Sequence, residues 1–79
     1  MTKEEVINII KKHITDNIDD LDEGNIDVTR SMRDYGANSL DIIEVVSSSM
    51  RELKIKIPRS ELADIPTIEK LADKFVEYL

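Results

Sequence analysis

The chain has no cysteine and no tryptophan, a single phenylalanine, two tyrosines, two prolines and two glycines in 79 residues. Without cysteine there is no disulfide framework, no thiolate metal site and no cysteine nucleophile. With so few rings the core must be mostly aliphatic. Positive charge is scarce too: 11 Lys and Arg against 17 Asp and Glu leave a net charge of -6. A protein that neutralises phosphates needs a basic stripe, so nucleic acid is excluded as a partner and basic protein surfaces are favoured. Nor is there a long apolar run. The opening MTKEEVINIIKK offers neither a signal peptide nor a membrane span, and we expect a cytoplasmic protein with no membrane partner.

What is present suits a small helical domain, with 41% apolar and 35% charged residues and too much apolar content for a disordered tail. A chain of this length is read as one domain, residues 1–79, and folding buries only ~60 to 65% of its surface, which disfavours a deep active-site cleft. Val6, Ile9, Ile10, His13 and Ile14 recur at helical spacing, and Thr2 with Glu5 makes a capping box, so a helix is predicted from Lys3 to Asn17. From Ile18 to Asn38 the periodicity decays into turns and an acidic loop containing Asp19, Asp20, Asp22, Glu23 and Asp27. A loop this long is usually tied down or functional, and Ile26, Val28 and Met32 are its expected anchors.

A second helix follows, with Leu40, Ile43, Val46 and Met50 along one line and Ile42, Val45 and Ser49 beside it, ending near Leu53. Its apolar arc is wider than one core-facing stripe requires, so part of it should face a partner. Lys54 to Ile57 alternates like a strand but has no second strand to pair with, and is read as a loop that Pro58 closes. Arg59 to Asp64 holds a turn or so of helix before Pro66. Thr67 caps a last helix whose buried face is Ile68, Leu71, Ala72, Phe75 and Leu79.

Chemistry is sought first among catalytic groups. The single histidine, His13, lies mid-way along the first helix, and Ser39 lacks a strand-turn-helix elbow, so a serine hydrolase is disfavoured and no catalytic residue is assigned. The acidic loop matches neither the spacing nor the closing glutamate of a calcium hand, and no metal site is assigned. Attention then falls on DYGANSLDII, Asp34 to Ile43. Gly36 permits a tight turn, Asn38 can cap a helix or take positive φ, and Ser39 stands at the helix edge with Leu40 packed behind it. Ser39 is either an ordinary N-cap or a covalently modified residue, whose phosphate ester the helix N-terminus would favour. Local sequence leaves both open.

The run DYGANSLDIIEVV resembles the prosthetic-group site of acyl carrier proteins, where an aspartate, a hydrophobic residue, a glycine and a short polar step precede Ser-Leu and an amphipathic helix. Length, acidity, the long first loop, the "IP" after the second helix and the Thr-capped last helix fall in the family's order, so the resemblance covers essentially the whole chain. It implies an all-α four-helix bundle with a long loop between helices 1 and 2 and a short third helix. It also implies a carrier rather than an enzyme, monomeric, whose Ser39 receives 4'-phosphopantetheine from coenzyme A through a separate phosphopantetheinyl transferase. Asn38, Leu40, Asp41, Ile43 and Glu44 match family positions that meet partner enzymes; for Ile43 the alternative is plain core packing.

Two departures narrow the resemblance. Many fatty-acid carriers have aspartate directly before the serine, where this chain has Asn38; and Met50, Arg51 and Arg59 stand where such carriers often keep acidic residues. Moreover, KIPRSELADIPTIEKLADKF, Lys56 to Phe75, is similar to the "IPR-x-ELA" segment of freestanding donor carriers in polyketide β-branching cassettes. That similarity implies an acetyl or malonyl donor acting with an acyltransferase, a ketosynthase-like decarboxylase and a 3-hydroxy-3-methylglutaryl (HMG) synthase-like enzyme, with Arg59 in the discriminating surface. The alternatives are a general fatty-acid or polyketide carrier, or an unmodified helical interaction module.

Overall fold

Thr2 opens the first helix. Its hydroxyl accepts the Glu5 amide at 3.2 Å while the Glu5 carboxylate accepts the Thr2 amide at 3.4 Å, the reciprocal satisfaction of end donors that Thr-x-x-Glu provides. In the computed structural model, which describes residues 1–62 and 65–79, α1 spans Lys3–Asn17, α2 Ser39–Leu53, α3 Arg59–Leu62 and α4 Ile68–Glu77. Among the described residues there is no strand, and the architecture is the all-helical bundle the sequence predicts. The expected extension of α3 over Ala63 and Asp64 lies outside the described residues.

α1 packs against both α2 and α4. It buries Val6, Ile10 and Ile14 completely, residues four apart that form one stripe. α4 contributes Ile68, Leu71, Ala72 and Phe75. Leu79 does not join them: it lies beyond the end of α4 and is half exposed. α2 buries Val45, Ser49 and Leu53. The sequence suggests Leu40 and Ile43 as members of the leading apolar line, but both are exposed, because the line that meets α1 is rotated toward Val45 and Ser49.

The long loop is tied down as expected. Ile26 and Met32 are buried and Val28 is half-buried against the core, and two 3₁₀ turns, Glu23–Asn25 and Met32–Tyr35, organise the stretch. It is also anchored by α4: the Ile68 amide donates to the Arg30 carbonyl at 3.0 Å and the Glu69 amide to the Val28 carbonyl at 2.8 Å. Those N–H groups begin α4 and have no partner within the helix, so the loop supplies the acceptors they lack. Thr67 Oγ1 takes the next amide, Lys70, at 3.1 Å, fulfilling its predicted cap.

His13 is half-buried, with Nε2 2.8 Å from Glu52 Oε1, and Lys12 Nζ lies 2.8 Å from the same oxygen. The histidine thus latches α1 to the end of α2. Lys12 first, then His13, hold the Glu52 carboxyl below its ordinary value of 4.5. A carboxyl depressed in the fold contributes stability that is present above its unfolded value and is lost as pH falls through the folded one. Glu52→Gln is therefore expected to lower the urea midpoint at neutral pH, with the two midpoints converging as pH falls through and below 4.5; a gap independent of pH would reject the latch.

Ser49 is fully buried, and its hydroxyl has no hydrogen-bond partner among the described residues. A desolvated, unpaired hydroxyl costs free energy that alanine avoids. Ser49→Ala is expected to raise stability by about 1 kcal/mol, read as a higher urea midpoint at unchanged slope; a fall would show the hydroxyl is satisfied in solution.

Candidate functional site

The motif around Ser39 separates into residues that build the backbone and residues left over. Asp34 belongs to the first kind: its carboxylate accepts the Ser31 amide at 3.2 Å, while Ser31 Oγ accepts the Arg33 amide at 3.1 Å. Together they wind the turn Met32–Tyr35. The Tyr35 hydroxyl accepts the Asp27 amide at 2.6 Å and so fastens this turn to the loop before it. Gly36 ends the turn at φ 91 and ψ 6, a left-handed conformation that disfavours a side chain. The Ala37 amide then returns to the Met32 carbonyl at 3.3 Å, with its methyl buried.

Asn38 decides the status of Ser39. It is extended, at φ -92 rather than the positive value it could have taken. Its Oδ1 accepts the Asp41 amide at 2.9 Å, and Asp41 Oδ2 accepts the Asn38 amide at 3.1 Å. Asn38 is therefore the cap of α2 and Ser39 is its first residue. The ordinary-cap reading of Ser39 is overturned: the side chain is exposed, and Oγ accepts a hydrogen bond from Arg33 Nη2 at 3.2 Å. The Ser39 and Leu40 amides meet no protein acceptor among the described residues. Such free donors at a helix start favour an anion.

The remaining predicted residues divide. Leu40 is 76% exposed, so it is not packed behind the serine as the sequence suggests: the first turn of α2 projects beyond the core. Ile43 is 47% exposed, against the core-packing alternative. One Asp41 oxygen is committed to the cap, whereas Glu44 is exposed and accepts the Ser48 hydroxyl at 3.2 Å. Arg59, from the start of α3, meets Ile43 across a groove of about 340 Å³ whose floor and walls include Val46, Met50, Ile57 and Leu62. The structure thus gathers Asn38, Ser39, Leu40 and Asp41 in one turn and brings Ile43 and Arg59 together at the groove, with Glu44 at neither. Sequence reasoning missed Arg33; a cation six residues before the serine, across a glycine turn, was the available signal. Among the described residues no three His, Asp or Glu side chains converge as a metal site would require.

Against known proteins, the family model described as phosphopantetheine attachment site matches residues 7–75. The chain belongs to this family of acyl carrier proteins. It is 30% identical over 79 residues to an acyl carrier protein of Rubrobacter xylanophilus, covering 99% of this chain and 96% of the relative. To the polyketide biosynthesis acyl carrier protein AcpK of Bacillus subtilis it is 27% identical over 73 residues, 92% of this chain and 89% of that one. It also matches a chain in the crystal structure of the curacin biosynthetic pathway HMG synthase in complex with acetyl donor-ACP, with a TM-score of 0.88, 35% identity, and coverage of 98% of this chain and 99% of that one. The near-equal coverage makes the matched chain one of this size. Among the described residues no helix is long and apolar enough to cross a membrane.

The cofactor of the family is covalent 4'-phosphopantetheine, and the residues here fit it. An exposed hydroxyl not used for capping stands beside a guanidinium and two unclaimed amides. Asn38→Ala is expected to cost about 1 kcal/mol of stability through the lost cap, and Asn38→Asp clearly less, because a carboxylate oxygen can keep the bond to Asp41 N. Equal urea midpoints for wild type and the alanine variant would contradict this account of where α2 begins.

Proposed function

We propose that Ser39 is the attachment residue and that the chain is a donor carrier for polyketide β-branching, handing a two-carbon unit to an HMG synthase-like enzyme. The observation that carries the reading is the near full-length match, at 35% identity, to a carrier-sized chain of a complex described as HMG synthase with acetyl donor-ACP. The "IPR-x-ELA" likeness in the sequence from Ile57 to Ala63 and the polyketide carrier AcpK support the same direction.

In loading, Ser39 Oγ forms a bond to a phosphorus of coenzyme A inside a separate phosphopantetheinyl transferase and gives up its proton there, while adenosine 3',5'-bisphosphate leaves with the electron pair of the broken bond. When bound, the group supplies a terminal thiol that holds acyl groups as thioesters, chemistry this cysteine-free chain lacks. The chain's own residues present that site. Leu40 and Ile43 offer exposed apolar area close to Ser39, Glu44 adds an exposed carboxylate that attracts basic surfaces, and Arg59 at the groove discriminates among partners. In this reading the chain acts as a monomeric carrier domain of residues 1–79. An acyltransferase and a ketosynthase-like decarboxylase prepare the cargo, and the HMG synthase-like enzyme takes it.

Intact mass after incubation with coenzyme A and a broad-specificity transferase is expected to show one phosphopantetheinyl addition on wild type and none on Ser39→Ala. No addition on wild type, or one surviving in Ser39→Ala, would sink the attachment assignment; an unmodified interaction module predicts unchanged pathway function in that variant. Once loaded with acetyl, the chain is expected to serve an HMG synthase-like enzyme well and a fatty-acid synthase poorly. The reverse ranking would leave a carrier but remove the donor role.

A further inference from the structure

The environment of Ser39 is unusual in sign for so acidic a chain. Three carboxylates lie within five residues of Ser39: Asp34 and Asp41 are occupied in turn-building, with the Ser31 and Asn38 amides, and Glu44 accepts the Ser48 hydroxyl further along α2. The residue directly before the serine is the neutral Asn38, which caps through an amide oxygen. Arg33 forms no ion pair among the described residues, and its one side-chain hydrogen bond there goes to Ser39 Oγ, at 3.2 Å. Its backbone is held on both sides, the amide by Ser31 Oγ and the carbonyl by the Gly36 amide at 3.1 Å. A cation is thus aimed at the one hydroxyl in the motif that local structure leaves free.

We propose that Arg33 is a phosphate-binding positioning residue. It pins the root of the prosthetic arm by donating to the phosphodiester oxygens once Ser39 is modified. This rests on Ser39 being the attachment residue. The chemistry follows from connectivity: the phosphorus is bonded to Oγ itself, so its two non-bridging oxygens are two bonds from the atom Arg33 already reaches. A hydroxyl acceptor is replaced by an anionic one, and a guanidinium binds phosphate oxygens more strongly than a neutral oxygen, commonly in a paired fork. The unclaimed Ser39 and Leu40 amides add donors on the same anion. An aspartate in the place of Asn38 would oppose the arrangement with a like charge beside the phosphodiester. With asparagine there, no carboxylate directly precedes the phosphodiester, and the one in the capping box, Asp41, accepts the Asn38 amide.

The test uses the loaded full-length chain and reads phosphorus rather than activity. Wild type, Arg33→Lys and Arg33→Ala are loaded from coenzyme A, their masses checked, and their ³¹P spectra recorded at low and high salt, with the urea-unfolded loaded chain as reference. The expected wild-type resonance lies away from the reference at low salt and moves toward it at high salt. Arg33→Ala is expected to lie near the reference at both, and Arg33→Lys to fall between. Resonances that coincide in all three loaded proteins overturn the role of Arg33, as does a wild-type resonance insensitive to salt. Should a variant resist loading, the wild-type salt series alone decides. A wild-type chain that gains no mass instead overturns the attachment assignment, so the two failures are distinct.

Discussion

One hydrogen bond sets where α2 begins: Asn38 Oδ1 accepting the Asp41 amide. By capping α2 it assigns the first helical position to Ser39 and frees a hydroxyl that serine would otherwise spend on its own backbone. Had the helix begun one residue later, Ser39 would itself have been the cap and its oxygen turned inward. The reciprocal bond from Asp41 stiffens the same turn. An exposed hydroxyl is thus left over by satisfying its neighbours.

That turn would be useless without the loop that delivers it. The loop is held by buried Ile26, Met32 and Ala37 and by the opening amides of α4, which take carbonyls from Val28 and Arg30. The end of one helix therefore fixes the approach to another. Gly36 makes the last reversal, and Arg33, on the turn before it, ends beside Ser39. Hydrophobic anchors and backbone hydrogen bonds share this task. The backbone groups need partners once taken from water, and each pairing removes a freedom the loop would otherwise keep.

Features governed by local rules were legible in the sequence. Thr2 with Glu5 and Thr67 before Ile68 are caps whose partners lie three residues away, and the anchoring of the loop by Ile26 and Met32 followed from apolar residues stranded in an acidic stretch. Leu40 and Ile43 were harder. A wide apolar arc announces that something is exposed, but which edge faces out depends on where α1 lies against α2, and that is a tertiary fact. Asn38 and Ser39 are both good caps, so propensity could not choose between them. Arg33 was easily passed over because its meeting with Ser39 runs through a left-handed glycine and not along any helical or strand period. Leu79 continued a periodic pattern past the end of its helix.

Net charge is a poor guide to what a partner meets on such a molecule. Its extents are 30 × 24 × 20 Å, whereas screening at physiological salt acts over about 8 Å. A docking enzyme therefore senses one region and not the total of -6. The loop from Asp19 to Asp27 presents exposed carboxylates, while Arg51, Lys54, Lys56 and Arg59 are all exposed and make no ion pair among the described residues. Arg59 lines the groove beside Ile43. The groove thus offers apolar area with one cation, Arg59, in its lining, which complements apolar side chains with an acidic neighbour. At the start of α2, Glu44 still favours a basic one. Charges of both signs thus stand on the exposed side of α2 and its groove, Glu44 on the helix and Arg59 across from Ile43.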